Sequence, residues 1–222
     1  MPLLQPIQRR LALILALAAG PLAASAGELD PALTPEALAD KAVIVISVTH
    51  EPESASHLQT GIDAGSLFDR ELLDSYRGVM GFSETSDFTD RHGHVYVLEL
   101  APGHHKLLGW RVPSGGGYFH PASPPPPLEF DLAKGDALYL GNIDAVLKLG
   151  HRTIFKTRVA SGVDVSVQDR AEQDIAVAEK THPGLAGRIR PALLTQGPWI
   201  GADGVKTSDA PLPATPVVPP KK

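Results

Sequence analysis

Histidine is the residue type with the most chemical potential in this chain of 222 residues, which contains no cysteine. The nine histidines are His50, His57, His92, His94, His104, His105, His120, His151 and His182. The segment His92-Gly93-His94 places two imidazoles on one side of an extended strand, a spacing that suits a zinc or copper ion. The competing interpretation is that these are exposed histidines at the ends of loops, since short spacing motifs often occur without a metal.

The other sequence features give a metal site less support. His104 and His105 are adjacent, so in a strand they point to opposite faces and at most one of them joins any site. The strand register expected below also places His94 opposite Arg111, whose fixed charge would oppose a cation. Metal binding through His92 and His94 is therefore the second hypothesis for function, and no His-Glu-x-x-His helix is present to strengthen it.

Motifs for covalent catalysis are missing. The chain has no Gly-x-Ser-x-Gly elbow, and the Ser114–Gly117 run lacks the lysine and the helix of a phosphate loop. The pairs Ser66 with Asp69 and Asp87 with Asp90 are explained by solvation at a surface. The sequence therefore predicts a protein that is not an enzyme, with no catalytic residues and no cofactor; a hydrolase without a recognised motif is the third hypothesis.

The N-terminus has the pattern of a secretory signal peptide. Arg9 and Arg10 form a positive region, residues 11–19 form a short apolar core, and Ala24-Ser25-Ala26 is a cleavage site of the A-x-A type. We expect cleavage after Ala26, a periplasmic or otherwise exported protein, and no membrane span after removal of the signal. No cysteine follows the site, which excludes a lipid-anchored form.

The charge of the mature chain limits its partners. Removing residues 1–26 takes away two arginines and no acid, which leaves 18 basic and 25 acidic residues. That balance disfavours nucleic acid, because binding to phosphates needs a basic patch, and it disfavours adhesion to anionic lipid. A chain of this size can bury a core without disulfides.

The stretch from residue 95 to residue 142 shows short apolar runs separated by turn residues, which is typical of antiparallel β structure. We expect a hairpin across the Ala101–His104 turn. That register places Glu99 opposite Lys106, an ion pair, and Trp110 opposite Val95. Trp110 is then buried in the core between two layers; the alternative is an exposed ligand-stacking residue.

Further elements follow from local signals. Thr34-Pro35 starts a short helix, the β-branched run 42–49 predicts a strand buried on both faces, and a capping box at Asp169 opens a helix that runs to about Lys180. The predicted organisation is a signal peptide (1–26), an N-terminal segment with a short helix (27–41), a β-sandwich (42–168), a helix and packed C-terminal segment (169–200) and a disordered Pro-rich tail (201–222).

Two segments resemble small exported bacterial β-sandwich proteins, largely uncharacterised. One is Leu100-Ala-Pro-Gly103 followed by Gly109-Trp110-Arg111, and the other is Ala133-Lys-Gly135 followed by Leu138-Tyr-Leu-Gly-Asn142. The resemblance implies an architecture like that of transthyretin or carboxypeptidase regulatory domains and a location in the envelope. It carries no catalytic residues.

Together these observations predict a mainly β protein, an antiparallel β-sandwich with one peripheral C-terminal α-helix. The leading hypothesis for function is a non-catalytic exported cell-envelope module that binds a protein, a peptide or a glycan through a sheet edge or its loops. The expected partner is an unknown envelope protein or glycan.

Overall fold

A computed structural model describes residues 27–52, 57–63, 72–79, 82–83, 85–114, 117–152 and 158–200. The strands are β1 (Gly27–Glu28), β2 (Ala42–His50), β3 (Gln59–Ile62), β4 (Leu72–Asp74), β5 (Gly78–Val79), β6 (Phe82–Ser83), β7 (His92–Leu100), β8 (Gly103–Ser114), β9 (Gly117–Phe119), β10 (Leu128–Leu132), β11 (Ala137–Arg152), β12 (Arg158–Gln168), β13 (Arg190–Pro191) and β14 (Gly197–Pro198). The helices are α1 (Pro35–Leu38), α2 (Ala171–Thr181) and a 3-10 turn (Pro183–Leu185).

Two sheets pack against each other, which confirms the predicted β-sandwich. The first sheet has the order β1-β7-β2-β11-β12-β14, with β13 added beside β11, and the second has the order β10-β8-β3-β4, with β9 added beside β8. Strands β5 and β6 form a separate small ribbon. Neighbouring strands are antiparallel except at β11, which runs parallel to both β2 and β13.

The predicted hairpin between β7 and β8 is wrong, because the two strands belong to different sheets. Strand β7 pairs with β2, and β8 pairs with β10 and β3. Glu99 accordingly pairs with Lys41 at 2.8 Å, while Lys106 lies opposite Glu129 and Trp110 lies opposite Thr60. The turn after Leu100 is a corner that carries the chain from one sheet to the other.

Strand β7 carries apolar side chains on both faces because each face is covered by a different element, and not because β7 forms a hairpin with β8. Tyr96 and Leu98 face the core between the sheets. Val97 on the opposite face joins a second apolar cluster that includes Ala178 of α2. The helix covers the outer face of the first sheet, so this strand is buried on both sides without β8 beside it.

Trp110 is buried in the core between the sheets with 2% of its surface exposed, which confirms the core prediction. Its indole N–H donates a hydrogen bond to the backbone carbonyl of Trp199 at 2.9 Å. The indole N–H of Trp199 donates in turn to the carbonyl of Pro126 at 2.8 Å. The segment from Pro191 to Trp199 therefore packs back on the sandwich, as expected.

Most of the predictions made from local sequence signals agree with the structure. Thr34 caps α1 through its side chain, all nine residues of β2 are buried, and α2 ends at Thr181 before His182. The capping box is wrong, because the residue at the N-cap is Arg170 and it makes no side-chain cap. The Asp169 carboxylate instead accepts from the backbone N–H of Ala171 at 3.0 Å.

Some expectations fall outside the described residues. These are the signal peptide, the tail from residue 201, the pair Ser66 with Asp69 and the phosphate-loop run at residues 115–116. Strand β9 was not expected from the sequence; it pairs antiparallel with the end of β8. No helix within the described ranges is long and apolar enough to cross a membrane.

Candidate functional site

Three histidines lie together where β2 ends and β7 begins, and they are named here the histidine cluster: His50, His92 and His94. The register of the two strands puts His50 directly opposite His92. Alternation along each strand gives all three the parity of Ile46 and Tyr96, which face the core between the sheets. The cluster therefore lies at one end of the core between the sheets and not on the outer surface.

The competing interpretation, that His92 and His94 are exposed histidines at the ends of loops, is therefore wrong. His94 is 3% exposed, and the side chain of His92 is half-buried. The expected opposition of His94 and Arg111 is wrong too, because His94 faces Val48 and Arg111 lies opposite Gln59 in the other sheet.

The ring of His94 is oriented by Asp87. Its Nδ1 atom lies 3.5 Å from Asp87 Oδ2, and the same carboxylate oxygen accepts from the backbone N–H of Val95 at 2.8 Å. Burial raises the pKa of Asp87, but the hydrogen bonds from His94 and Val95 outweigh it and hold that pKa below its usual range. An ionised carboxylate only accepts, so the contact with Asp87 favours the tautomer that carries its proton on Nδ1 and leaves the lone pair on Nε2.

His50 is 3% exposed and lies against Ser75, with 2.8 Å between His50 Nδ1 and Ser75 Oγ. The serine oxygen also accepts from the backbone N–H of Leu58 at 2.7 Å. Burial, together with the neighbouring His92, lowers the pKa of His50 to about 3. The imidazole of His50 is therefore neutral across the ordinary pH range.

His92 lies between the other two rings. Its ring centre is 4.9 Å from that of His50 and 6.4 Å from that of His94. Burial and the neighbouring His94 lower the pKa of His92 as well. The Nε2 atoms of His92 and His94 are both buried and have no hydrogen-bond partner within the described part of the chain.

Gly93 allows this arrangement because no other residue fits between the two histidines. A Cβ atom at this position would lie 2.2 Å from the carbonyl oxygen of Val48 and 2.8 Å from the side chain of Thr49. Its backbone N–H also donates to Ser86 Oγ at 3.1 Å. The glycine thus lets the segment before β7 fold tightly across the end of the sheet.

A second group of side chains borders the cluster. Tyr76 stacks between His57, at 5.5 Å between ring centres, and His92, at 6.3 Å. His57 Nε2 lies 3.5 Å from Asp74 Oδ2, and burial raises the pKa of Asp74. These residues cover the histidine cluster from the side of the second sheet.

The remaining histidines have separate partners. His104 is exposed beside Asp131, whereas His105 is buried against Phe130 and its Nε2 lies 2.7 Å from the carbonyl of Ala101. The two do point to opposite faces, as predicted. His120 Nδ1 lies 2.9 Å from the carbonyl of Pro121. His182 Nε2 lies 3.0 Å from the carbonyl of Leu29, and the side chain of His151 falls outside the described set.

Asp87 and Asp90 are more than solvated surface residues, although both are exposed. Asp87 orients His94, as described above. The carboxylate of Asp90 accepts two hydrogen bonds at 3.0 Å from the guanidinium of Arg170, which also lies over the ring of Phe88. The two aspartates hold the segment before β7 against the sheet and against α2.

A buried polar layer under α2 was missed by the sequence reasoning. Asp174 of the helix accepts hydrogen bonds from Ser47 and from Tyr139 at 2.8 Å. Asn142 donates to Ser47 at 2.7 Å. Burial raises the pKa of Asp174. Because the hydroxyl and amide groups mostly satisfy one another, this layer fixes the position of α2 on the sheet.

The pair formed by Ser75 and His50 is the arrangement within the described ranges that comes closest to a catalytic dyad. Ser75 is fully buried and its oxygen is already occupied by the N–H of Leu58. A histidine with a pKa of about 3 is a weak general base at neutral pH, because catalytic bases work best near the operating pH. The geometry is that of a structural contact.

The histidine cluster offers buried ring nitrogens that have no hydrogen-bond partner. Within the described residues, no group of three or more His, Asp or Glu side chains is placed so that it could hold a metal ion. Two buried imidazole nitrogens nevertheless lack a partner, a state that buried polar atoms rarely adopt. They fit a ligand that accepts electron pairs or donates protons.

Comparisons of the chain with protein-family models, with curated proteins and with solved structures found no match. The resemblance to transthyretin-like exported proteins therefore stays a prediction.

Proposed function

We propose that this chain is a non-catalytic, exported β-sandwich module that binds a copper or zinc ion through His92 and His94. The observation that carries the proposal is the pair of buried Nε2 atoms without a partner. Imidazole nitrogen is a preferred ligand of both ions. The proposal also matches the one site expected from the spacing of His92 and His94.

The contact between Asp87 and His94 supports a metal more than other ligands. Histidines that bind metals commonly donate their second ring N–H to a carboxylate, which fixes the tautomer and raises the basicity of the ligating nitrogen. His94 has that arrangement, with Asp87 at Nδ1. Its 3% exposure suits an ion, which needs far less space than a sugar or a peptide.

A protein, peptide or glycan ligand is the competing proposal, and the described surface favours it less. The outward side chains of β10, at an end of the second sheet, are Glu129 and Asp131, and charged edge strands discourage strand addition. Sugars commonly stack on exposed aromatic rings. Among described residues the exposed large apolar side chains are Leu108 and Ile200, neither of them aromatic.

Export remains part of the proposal and is tested separately. The mature protein recovered from the cell envelope should begin at Gly27. Intact-mass measurement and N-terminal sequencing check this directly. A chain that retains Met1 in the cytoplasmic fraction would contradict a periplasmic location.

The metal proposal is tested by titrating the full chain with Zn²⁺ or Cu²⁺ in competition with a chromophoric chelator. His92→Gln and His94→Gln should each weaken binding by more than the roughly 10–100-fold lost when a supporting residue is removed. The matched control is His104→Gln, because His104 is an exposed histidine in the second sheet.

The control variant should keep the wild-type affinity and the ratio of one ion per chain. Absence of binding to the wild-type chain would refute the metal function. Equal weakening by His104→Gln would mean that the ion is held by scattered surface histidines. Either result would favour the competing proposal, in which the module binds a protein, a peptide or a glycan.

A further inference from the structure

We infer that Asp63 and His105 form a pH-sensitive clamp at the corner between the two sheets, an inference that is independent of the proposed metal site. The corner is the turn from β7 to β8, and His105 lies in β8 just after it. Its side chain is 9% exposed and lies on the same side of β8 as the core residue Leu107. The clamp is closed while the imidazole carries a proton on both nitrogens, and it opens when one of these protons is lost.

Both ring nitrogens of His105 lie against oxygen atoms that accept hydrogen bonds. Nδ1 is 2.5 Å from Asp63 Oδ2, and Nε2 is 2.7 Å from the backbone carbonyl of Ala101. A carbonyl oxygen only accepts, so Nε2 carries a proton. A second proton lies between Nδ1 and the carboxylate, because a lone pair on Nδ1 would otherwise face a lone pair of the oxygen. Imidazole is the stronger base of the two groups, so the ring is an imidazolium that donates to an ionised carboxylate.

Asp63 is held in place for this contact by the backbone of β8. Its other oxygen, Oδ1, accepts from the backbone N–H of Lys106 at 2.9 Å, and its own N–H donates to the Lys106 carbonyl at 2.7 Å. Within the described ranges, Asp63 is also the residue other than glycine that has a positive φ, +52°. This conformation costs free energy unless contacts compensate for it. The two backbone contacts therefore fix the carboxylate beside His105.

Among the described residues, Asp63 supplies the charge that faces His105 inside the fold. Phe130 of β10 lies directly opposite His105, and its ring stacks on the imidazole with 5.4 Å between ring centres. The other charged or titratable neighbours on β8 and β10 are exposed, on the opposite face of the two strands: His104, Lys106, Glu129 and Asp131. A buried charge is costly without an opposite charge beside it, so the imidazolium depends on Asp63.

Loss of one proton breaks the clamp. A ring with a single proton can donate to Asp63 or to the Ala101 carbonyl, and the remaining oxygen then faces a lone pair. The two contacts tie the segment after β3 to the corner, so the corner should loosen. The unfolded chain makes neither contact. The stability that they contribute is therefore present at low pH and is lost as the pH rises through the range in which histidine titrates.

Spectra of the wild-type chain with ¹⁵N-labelled histidine test the proton count directly. At about pH 7, near the upper part of the range in which histidine titrates, both Nδ1 and Nε2 of His105 should show a bonded proton. A His105 ring that has a proton on one nitrogen and a lone pair on the other would overturn the inference.

Asp63→Asn is the variant that should remove the pH dependence and keep the fold. Asparagine tolerates a positive φ, and its amide can donate to Nδ1 of a neutral ring while its oxygen still accepts from Lys106 N–H. The urea midpoint of the wild type relative to Asp63→Asn should fall as the pH rises from about 5 to about 8. The matched control is Asp131→Asn, because Asp131 is an exposed carboxylate beside the exposed His104. Exposed pairs contribute little, so the control should follow the wild-type profile.

The comparison separates the clamp from other sources of pH dependence. Asp174 titrates in all three chains, so its contribution cancels in each difference. Hydrogen exchange of the Lys106 N–H, corrected for its intrinsic pH dependence, should lose protection over the same range in the wild type. A midpoint difference between the wild type and Asp63→Asn that does not change with pH would refute the clamp, even if the variant were less stable throughout. If Asp63→Asn does not fold, the labelled spectra and the exchange of Lys106 in the wild type decide the question.

Discussion

Substituting Trp110 is the sharpest test of the two-sheet core. Trp110 is 2% exposed and donates its indole N–H to the carbonyl of Trp199. Trp110→Ala therefore removes a large buried aromatic and a link between the second sheet and the C-terminal segment. We expect a loss of stability well above that of an average core substitution.

The expected magnitude has two parts. Truncating a buried aromatic to alanine costs about 3–5 kcal/mol, from lost transfer energy and the remaining cavity. The carbonyl of Trp199 also loses its donor, which adds about 1 kcal/mol or more. Trp110→Ala should thus cost about 4–6 kcal/mol, and Trp110→Phe, which keeps a ring but loses the donor, should cost about 2 kcal/mol.

Urea denaturation of both variants and the wild type measures these differences through the midpoint and slope of the transition. Leu108→Ala is the matched control, because Leu108 lies on the same strand and is exposed; it should cost no more than about 0.5 kcal/mol. If Trp110→Ala were as mild as Leu108→Ala, the core placement of Trp110 would be refuted.

Three further predictions test the polar contacts and the backbone. The folded-state pKa of Asp174 is raised above 3.8 by burial, so the folded chain holds this proton more tightly than the unfolded chain does. The stability of the wild type relative to Asp174→Asn should therefore be greatest at low pH and should fall as the pH rises through the raised pKa. Urea titrations of both variants from about pH 4 to about pH 8 measure this difference. A difference in unfolding free energy that does not change with pH would contradict the raised pKa. Gly141 has φ of +116° and a Cβ there would lie 3.3 Å from a carbonyl of the neighbouring strand, so Gly141→Ala should lower the melting temperature and cost about 1–3 kcal/mol; no change would contradict this backbone. Lys41→Glu should cost up to about 1 kcal/mol through repulsion of Glu99, and adding Glu99→Lys should restore most of it; a double variant no better than the single one would show that the pair contributes nothing.

Much of the local structure could be predicted because its causes are local. The run 42–49 is apolar on both faces, which requires cover on both sides of the strand, and the structure supplies the second sheet on one face and α2 on the other. Thr34 before Pro35 is a strong cap for α1. The stop after Thr181 follows from His182 and Pro183.

The partners of β7 and β8 could not be predicted because the same residues fit two arrangements. Pro102 and Gly103 suit a tight hairpin as well as a corner between sheets. Alternation along β7 shows that both faces are buried, but it does not show whether another strand or a helix covers them. The structure decides between them: β7 and β8 belong to different sheets, and Glu99 pairs with Lys41 instead of Lys106.

The candidate site was predicted in part. The common side of His92 and His94 follows from strand geometry, and the structure agrees. Their burial, and the approach of His50 and Ser75, depend on contacts between residues distant in sequence. The pairing of β2 with β7 brings His50 to His92, and Ser75 comes from the segment 72–79, whose sequence gave no clear periodic signal.

Crystals of the full chain grown with Zn²⁺ test the central claim most directly. Anomalous diffraction measured on both sides of the zinc absorption edge locates the ion without any assumption about its ligands. We predict one strong peak per chain within about 2.1 Å of the Nε2 atoms of His92 and His94. Peaks confined to exposed residues such as His104, with none at His92 and His94, would contradict the account.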